Sequence, residues 1–252
     1  MLSFDSKIFW NALLSPAFAK GALITVALTV ASMATASSVG LWVALARQSR
    51  RHALKWPAAT YIHVARAIPT LLWLLIVWNG LPQVWPIFRN SWFTPFLAAY
   101  LALSFNEGAY MAEIIRSGLL SVDEGQRFAA RSLGLSPWKV LRRVVLPQAI
   151  RIIVPPAGNE FISLLKLTSL ASVISLRELL TVTQQTIATN FRFAELYAAA
   201  AIYYIVIVSI LQLLQSRLEK HLRWSSSNRV QLRLERSMAG PDVVAPQGAV
   251  RQ

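Results

Sequence analysis

The sequence predicts an all-α membrane protein of about five transmembrane helices, with its N-terminus outside and its C-terminus in the cytoplasm. Three observations predict it. Of 252 residues, 55% are hydrophobic and only 14% are charged, an imbalance foreign to soluble domains. Five stretches, at about 21–46, 58–79, 93–115, 152–176 and 196–216, approach the roughly 20 apolar residues that a bilayer crossing needs. Basic residues are segregated: fourteen flank one set of stretch ends and five the other, which sets orientation by the positive-inside rule.

The net charge of +14 is therefore mainly a topology signal. Nucleic-acid binding would need a basic face on a soluble fold or a row of stacking aromatics, and the chain has neither. There is no cysteine, and the histidines His52, His63 and His221 have no metal-ligand spacing, so no metal or cofactor site is expected. No nucleophile signature or phosphate-binding GxxxxGK[ST] loop occurs, so no catalytic residue is expected either.

Taken in order, residues 1–20 read as a segment outside the membrane. The first stretch contains Ala34-Thr35-Ala36, which looks like a signal-peptide cleavage site, but its apolar run continues to Ala46, too long for a signal core. Trp73, Trp78, Trp85 and Trp92 fall around the outer ends of the second and third stretches, where an interfacial aromatic belt belongs. Pro155 and Pro156 are either a functional hinge within the fourth stretch or, the better placing, its start, where proline is tolerated. The region 21–216 forms one membrane domain, and the basic tail 217–252 is expected to lack stable order.

The polar loop 117–150 interrupts this pattern with local order that an orientation anchor would not require. Asp123 and Glu124 put negative charge at a helix start, and Gly134 suits the left-handed residue past its end. Ser136 and Pro137 begin a second short helix that should run to about Val145, where Leu146-Pro147 stops it. Ala129 and Ala130 leave a shallow surface beside Phe128, suited to insertion into a groove on another protein.

These residues carry a resemblance. Phe128-Ala129-Ala130, Gly134 and Val144-Val145-Leu146-Pro147 keep every spacing of the cytoplasmic signature of ATP-binding-cassette (ABC) importer permeases. Gly125-Gln126, Leu146-Pro147-Gln148-Ala149, Pro155-Pro156 to Asn159, Asn106-Glu107-Gly108-Ala109-Tyr110 and Lys166-Leu167-Thr168-Ser169-Leu170 look like the polar amino acid and opine permeases of that superfamily. Phe128 stands where the signature usually has Glu, and Leu167 where the family commonly has Asp. The resemblance covers about residues 20–220.

It implies the type I importer permease fold in a bacterial inner membrane, with no activity of the chain alone. It also implies an ATPase subunit dimer on the cytoplasmic side, a second permease subunit (the same chain or a sister chain), and a periplasmic or surface-tethered substrate-binding protein. Gly125, Phe128, Ala129, Ala130, Gly134, Leu146 and Pro147 would then form the ATPase-coupling element. A self-contained channel or secondary transporter is the alternative, weakened by an odd span count that cannot divide into equal inverted halves.

Ionisable residues within spans are costly and by default functional. Glu107 lies about 14 residues into the third stretch, roughly 21 Å from the outer face. Asn159 and Glu160, about eight residues into the antiparallel fourth, reach a similar depth, and Lys166 lies about 9 Å further out. These residues, with Asn106, Tyr110 and Thr168, either line a substrate path, carboxylates meeting an ammonium or guanidinium and Lys166 a carboxylate, or glue helices together by pairing Glu107 and Glu160 with Lys166.

Overall fold

The computed structural model describes residues 4–238, with side chains described as far as Leu222. It is all-helical among those residues. A short amphipathic helix α1 (Ser6–Leu13) precedes the first long helix. Asp5 caps it, its side chain accepting from the Lys7 and Ile8 amides, which satisfies two donors that a helix start leaves open. The helix α2 (Pro16–Arg47) begins with Ser15 as cap and Pro16 in the first turn, where a missing N–H costs nothing. Among the described residues, the segment ahead of residue 21 is thus largely helical.

The expected second span, 58–79, is not one rod. It is α3 (His52–Ala67) followed by α4 (Thr70–Leu75), a π-helical turn (Ile76–Gly80) and α5 (Leu81–Val84), and the two arms meet at 101°. Proline causes the break: Ile68, immediately before Pro69, is extended (φ −92°, ψ 131°), as the proline ring forces on its predecessor. A 3-10 turn, Pro86–Arg89, leads to α6 (Pro95–Leu120), capped by Thr94.

α6 is the hub of the molecule. It packs on α2, α3, α4 and α9, and its buried positions are mostly small: Ala98, Ala99, Ala102, Gly108, Ala109, Ala112 and Gly118. Small residues let backbones approach closely, the usual means of helix association in lipid. Where α2 meets α6, a Cβ on Gly40 would stand 2.8 Å from the Met111 Cβ and 2.9 Å from the Ala112 amide nitrogen.

The polar loop holds α7 (Glu124–Ser132) and, after a turn, α8 (Pro137–Val140), which passes through a π turn (Leu141–Val145) into α9 (Leu146–Leu167) as one unbroken helical run. Leu146-Pro147 therefore does not stop the second short helix. The Leu146 N–H reaches the Leu141 carbonyl, an i−5 bond that widens the turn, and a π bulge of this kind absorbs the donor that Pro147 lacks. Pro155 and Pro156 lie inside α9, not at its start. Gln215 Nε2 of α11 donates to the Pro155 carbonyl at 3.2 Å, tying α11 to α9 at the proline pair.

A 3-10 segment (Thr168–Ile174) and α10 (Leu179–Asn190), a helix too short to stand out as a span, complete the return to α11 (Phe193–Met238). The backbone of the tail past Arg217 continues α11 to Met238, and residues 239–252 lie outside the described residues. One apolar core joins α2, α6, α9 and the π turn. A second joins α1, the start of α2, α10 and α11.

Pro16–Arg47 and Phe193–Leu222 are each long and apolar enough to cross a membrane, and two bent pairs, His52–Ala67 with Thr70–Val84 and Pro137–Ile174 with Leu179–Asn190, qualify if each is one span. α6, about 39 Å long at helical rise, is not among them. It carries Glu107, Glu113 and Arg116, polarity that a helix walled by protein can hold.

Candidate functional site

Two sites emerge, one within the helix bundle and one at the polar loop. In the first, α6 carries Asn106 and Glu107 at its middle, and both are buried. The Asn106 amide nitrogen donates to Thr70 Oγ1 at 3.0 Å, so the residue fastens α6 to the first turn of the arm beyond the Pro69 bend. Asn106 Oδ1 and Glu107 Oε1 are buried with no hydrogen-bond partner among the described residues. Buried polar atoms of native proteins are nearly all paired, so an open carboxylate oxygen here marks a place for a donor.

Glu160, half-buried on α9, is close enough to Glu107 for the two carboxylates to repel, while the Arg66 guanidinium attracts Glu160. The bend at Pro69 accounts for this placement. It leaves Arg66 at the last turn of α3 with its guanidinium carbon 4.9 Å above the Tyr110 ring, within cation–π range. Arg66, His63, Tyr110, Glu113 and Arg47 line a cavity of about 400 Å³. Glu113 is held there by Arg116, through contacts of 2.7 to 3.3 Å.

The remaining expected path residues divide. Asn159 is exposed and turns toward α11, its Oδ1 accepting from Gln215 Nε2 at 3.0 Å. Lys166 is exposed and, among the described residues, pairs with neither Glu107 nor Glu160; the glue arrangement through Lys166 is not the one adopted. Thr168 is fully buried, its hydroxyl donating to the Leu165 carbonyl at 2.7 Å, where it steadies the change from α to 3-10 helix. Glu107, Glu160 and Tyr110 therefore come together, while Asn159, Lys166 and Thr168 stand apart from that cluster.

Arg66 and Thr70 carry no weight in the sequence reading of the path. Arg66 meets the same rule that singles out Glu107, an ionisable residue inside an apolar stretch. Its neighbours to Pro69 look like motif punctuation, which hides it.

At the polar loop, Asp123 caps α7 by accepting from the Gln126 amide at 3.2 Å. The helix ends in a Schellman motif: Gly134 N–H donates to the Arg131 carbonyl at 2.9 Å and Leu135 N–H to that of Ala130 at 3.2 Å, with Gly134 at φ +77°. That left-handed φ is the reason for glycine here. Gly125 sits exposed in the first turn.

Ala130 points inward and is buried, whereas Phe128 is 74% exposed, Leu133 83% and Trp138 66%. The apolar face that α7 and α8 offer is thus built of Phe128, Leu133 and Trp138 with Ala129 exposed alongside. Ala130 is part of the packing beneath. Two side-chain bonds tie α7 to the bundle: Arg127 Nη2 to the Leu119 carbonyl at the end of α6, and Gln148 Nε2 of α9 to Gln126 Oε1 at 2.7 Å. Leu146 and Pro147 lie where the π turn passes into α9.

Residues 36–224 match the family described as the binding-protein-dependent transport system inner membrane component. The glutamine transport system permease protein GlnP of Escherichia coli (strain K12) is 35% identical over 222 residues, spanning 88% of this chain and 99% of that protein. The octopine transport system permease protein OccM of Rhizobium radiobacter is 37% identical over 229 residues, spanning 89% and 91%. The crystal structure of an amino acid ABC transporter with histidines superposes with a TM-score of 0.78 at 36% identity, covering 88% of this chain and 99% of that one. The inward-facing MetNI methionine ABC transporter, at TM-score 0.69 and 19% identity over 87% of this chain, shares the fold. From residue 36 to residue 224, then, the chain belongs to the binding-protein-dependent transport system inner membrane components, the permease subunits of ABC importers, and has their type I fold.

Proposed function

We propose that this protein forms, with a second permease subunit, the path by which polar amino acids or opines enter a bacterial cell across the inner membrane. A separate ATPase dimer drives it and a soluble binding protein delivers the substrate. The chain crosses the membrane five times, with α1 outside and α7 in the cytoplasm, as the distribution of its basic residues requires.

The observation that carries this reading is the mechanical continuity between the two sites. α7 presents Phe128, Leu133 and Trp138 outward and is bonded to the end of α6 by Arg127 and to α9 by Gln126–Gln148. α6 and α9 are the helices that hold Glu107 and Glu160. When the ATPases close on ATP, a shift of α7 is passed to both helices through these bonds, and the spacing of the two carboxylates changes with it. Glu107 and Glu160 take the ammonium or guanidinium of the substrate, which leans the path toward cationic amino acids. Asn106 holds the wall opposite through Thr70. Asn159 and Lys166, both exposed, and the buried Thr168 stand apart from these two carboxylates.

Reconstitution in proteoliposomes tests the reading. Uptake of a labelled amino acid is expected only with the ATPase inside, ATP present and the binding protein outside. Uptake by the chain alone, in either direction along a gradient, would make it a self-contained channel or secondary transporter.

A further inference from the structure

A second cavity, of about 180 Å³, lies under α7, between the end of α2, the end of α6 and the π turn before α9. Its lining is amphipathic. Arg127, Arg131 and Gln48 supply donors, and Leu45, Leu119 and Val145 an apolar floor. Arg127 uses one guanidinium nitrogen on the Leu119 carbonyl, while its Nε is buried with no partner among the described residues. No carboxylate lines the cavity, so its two guanidiniums give it a positive lining that favours an anion. On α2, one turn before the cavity residue Leu45, Trp42 is 72% exposed, an aromatic of the type that sits at headgroup level.

We propose that this cavity binds the phosphate of an anionic phospholipid, held by the Arg127 and Arg131 guanidiniums, with an acyl chain descending over Leu45 and Trp42. Basic pockets between membrane helices take acidic headgroups in this way, and planar guanidinium forks suit phosphate oxygens. The lipid occupies the wedge between α7 and the bundle, so it stiffens the same joint that carries motion from the ATPase. Placement in the cytoplasmic leaflet rests on the orientation given above; the phosphate site itself does not.

The test is native mass spectrometry of the delipidated full chain, titrated with phosphatidylglycerol or phosphatidylcholine. One phosphatidylglycerol per chain is expected to bind in preference to phosphatidylcholine. R131Q, which removes an exposed side chain and leaves the Arg127–Leu119 bond, should weaken it about fivefold and R127Q/R131Q about 25-fold, since each basic group near an acidic headgroup contributes roughly 1 kcal/mol. R142Q/R143Q, altering exposed arginines outside the cavity, should leave the preference unchanged. Equal binding of the two lipids would overturn the proposal. So would a preference that survives in both cavity variants, or displacement of the lipid by millimolar inorganic phosphate, which would make this a free-anion site. Failure of ATP-driven uptake in the reconstitution above leaves these lipid outcomes readable by themselves.

Discussion

Replacement of Gly134 separates conformation from size at the coupling loop. Nothing lies within 4 Å of a Cβ built on Gly134, and its φ is +77°. A larger side chain meets no obstacle there, so the whole cost of substitution is the left-handed backbone. That cost is about 1–2 kcal/mol for most residues and small for Asn, which tolerates this region. Gly134→Val should therefore open the end of α7 about five- to thirtyfold more often, releasing the Gly134–Arg131 and Leu135–Ala130 bonds, while Gly134→Asn, of similar bulk, should stay near the parent. The assay is amide hydrogen exchange across 124–140 in the reconstituted importer, read beside the ratio of ATP hydrolysed to substrate moved. Val should raise both exchange and wasted hydrolysis with membrane insertion intact. Equal behaviour of Val and Asn would refute the conformational argument, and unchanged coupling in Val would refute the lever role of α7.

Three other outcomes follow from the same geometry. Glu107→Gln keeps the shape but removes the charge, and uptake of a cationic amino acid should fall roughly 10- to 100-fold, the worth of a charged hydrogen bond, with no change in elution profile. Phe128→Ala should weaken ATPase assembly by about 10- to 100-fold, from the 1.5–3 kcal/mol that burial of such a ring contributes, measured by co-purification at decreasing concentration. Gly40→Ala should destabilise the α2–α6 contact by roughly 1–3 kcal/mol, because its Cβ would press on Met111 and the Ala112 backbone; a lowered melting temperature in detergent checks this, and Gly80→Ala, whose nearest neighbour stands at 3.8 Å, should leave it unchanged.

Much of the coupling loop was legible in the sequence because its signals are local. Negative charge at Asp123 and Glu124 where a helix starts, Gly134 past its end and Pro137 at the next start are each decided by the preferences of one or two residues, and the structure begins α7 at Glu124, gives Gly134 a left-handed φ and begins α8 at Pro137. Where a signal depended on context, the reading failed. Pro147 looks like a stop, yet a π turn absorbs it; Pro155 and Pro156 look like a start, yet both lie inside α9. Pro69 breaks a stretch that looks continuous by hydropathy, because hydropathy counts side chains and the break is a backbone effect.

The candidate path shows the same division. Spacing along α6 and α9 suffices to bring Glu107 and Glu160 to similar depth, since helical rise is constant. It says nothing of rotation about each helix axis, which packing decides, and so Asn159 turned to Gln215 and Thr168 to its own backbone.

By itself the sequence determined the class: helical, membrane-embedded, and built around a polar loop whose Ala129, Ala130 and Gly134 spacing marks the importer permeases. Composition, charge segregation and short motifs are properties of neighbouring residues, and neighbours are what a sequence records. Only the tertiary structure decided that Arg66 stands over the Tyr110 ring beside the Pro69 bend, that Ala130 packs inward while Phe128 stands out, and that Arg127 and Arg131 line one cavity. Each of these depends on how helices far apart in sequence are rotated and pressed together, a choice set by close packing at residues such as Gly40 and Ala112 and carried by no single stretch of the chain.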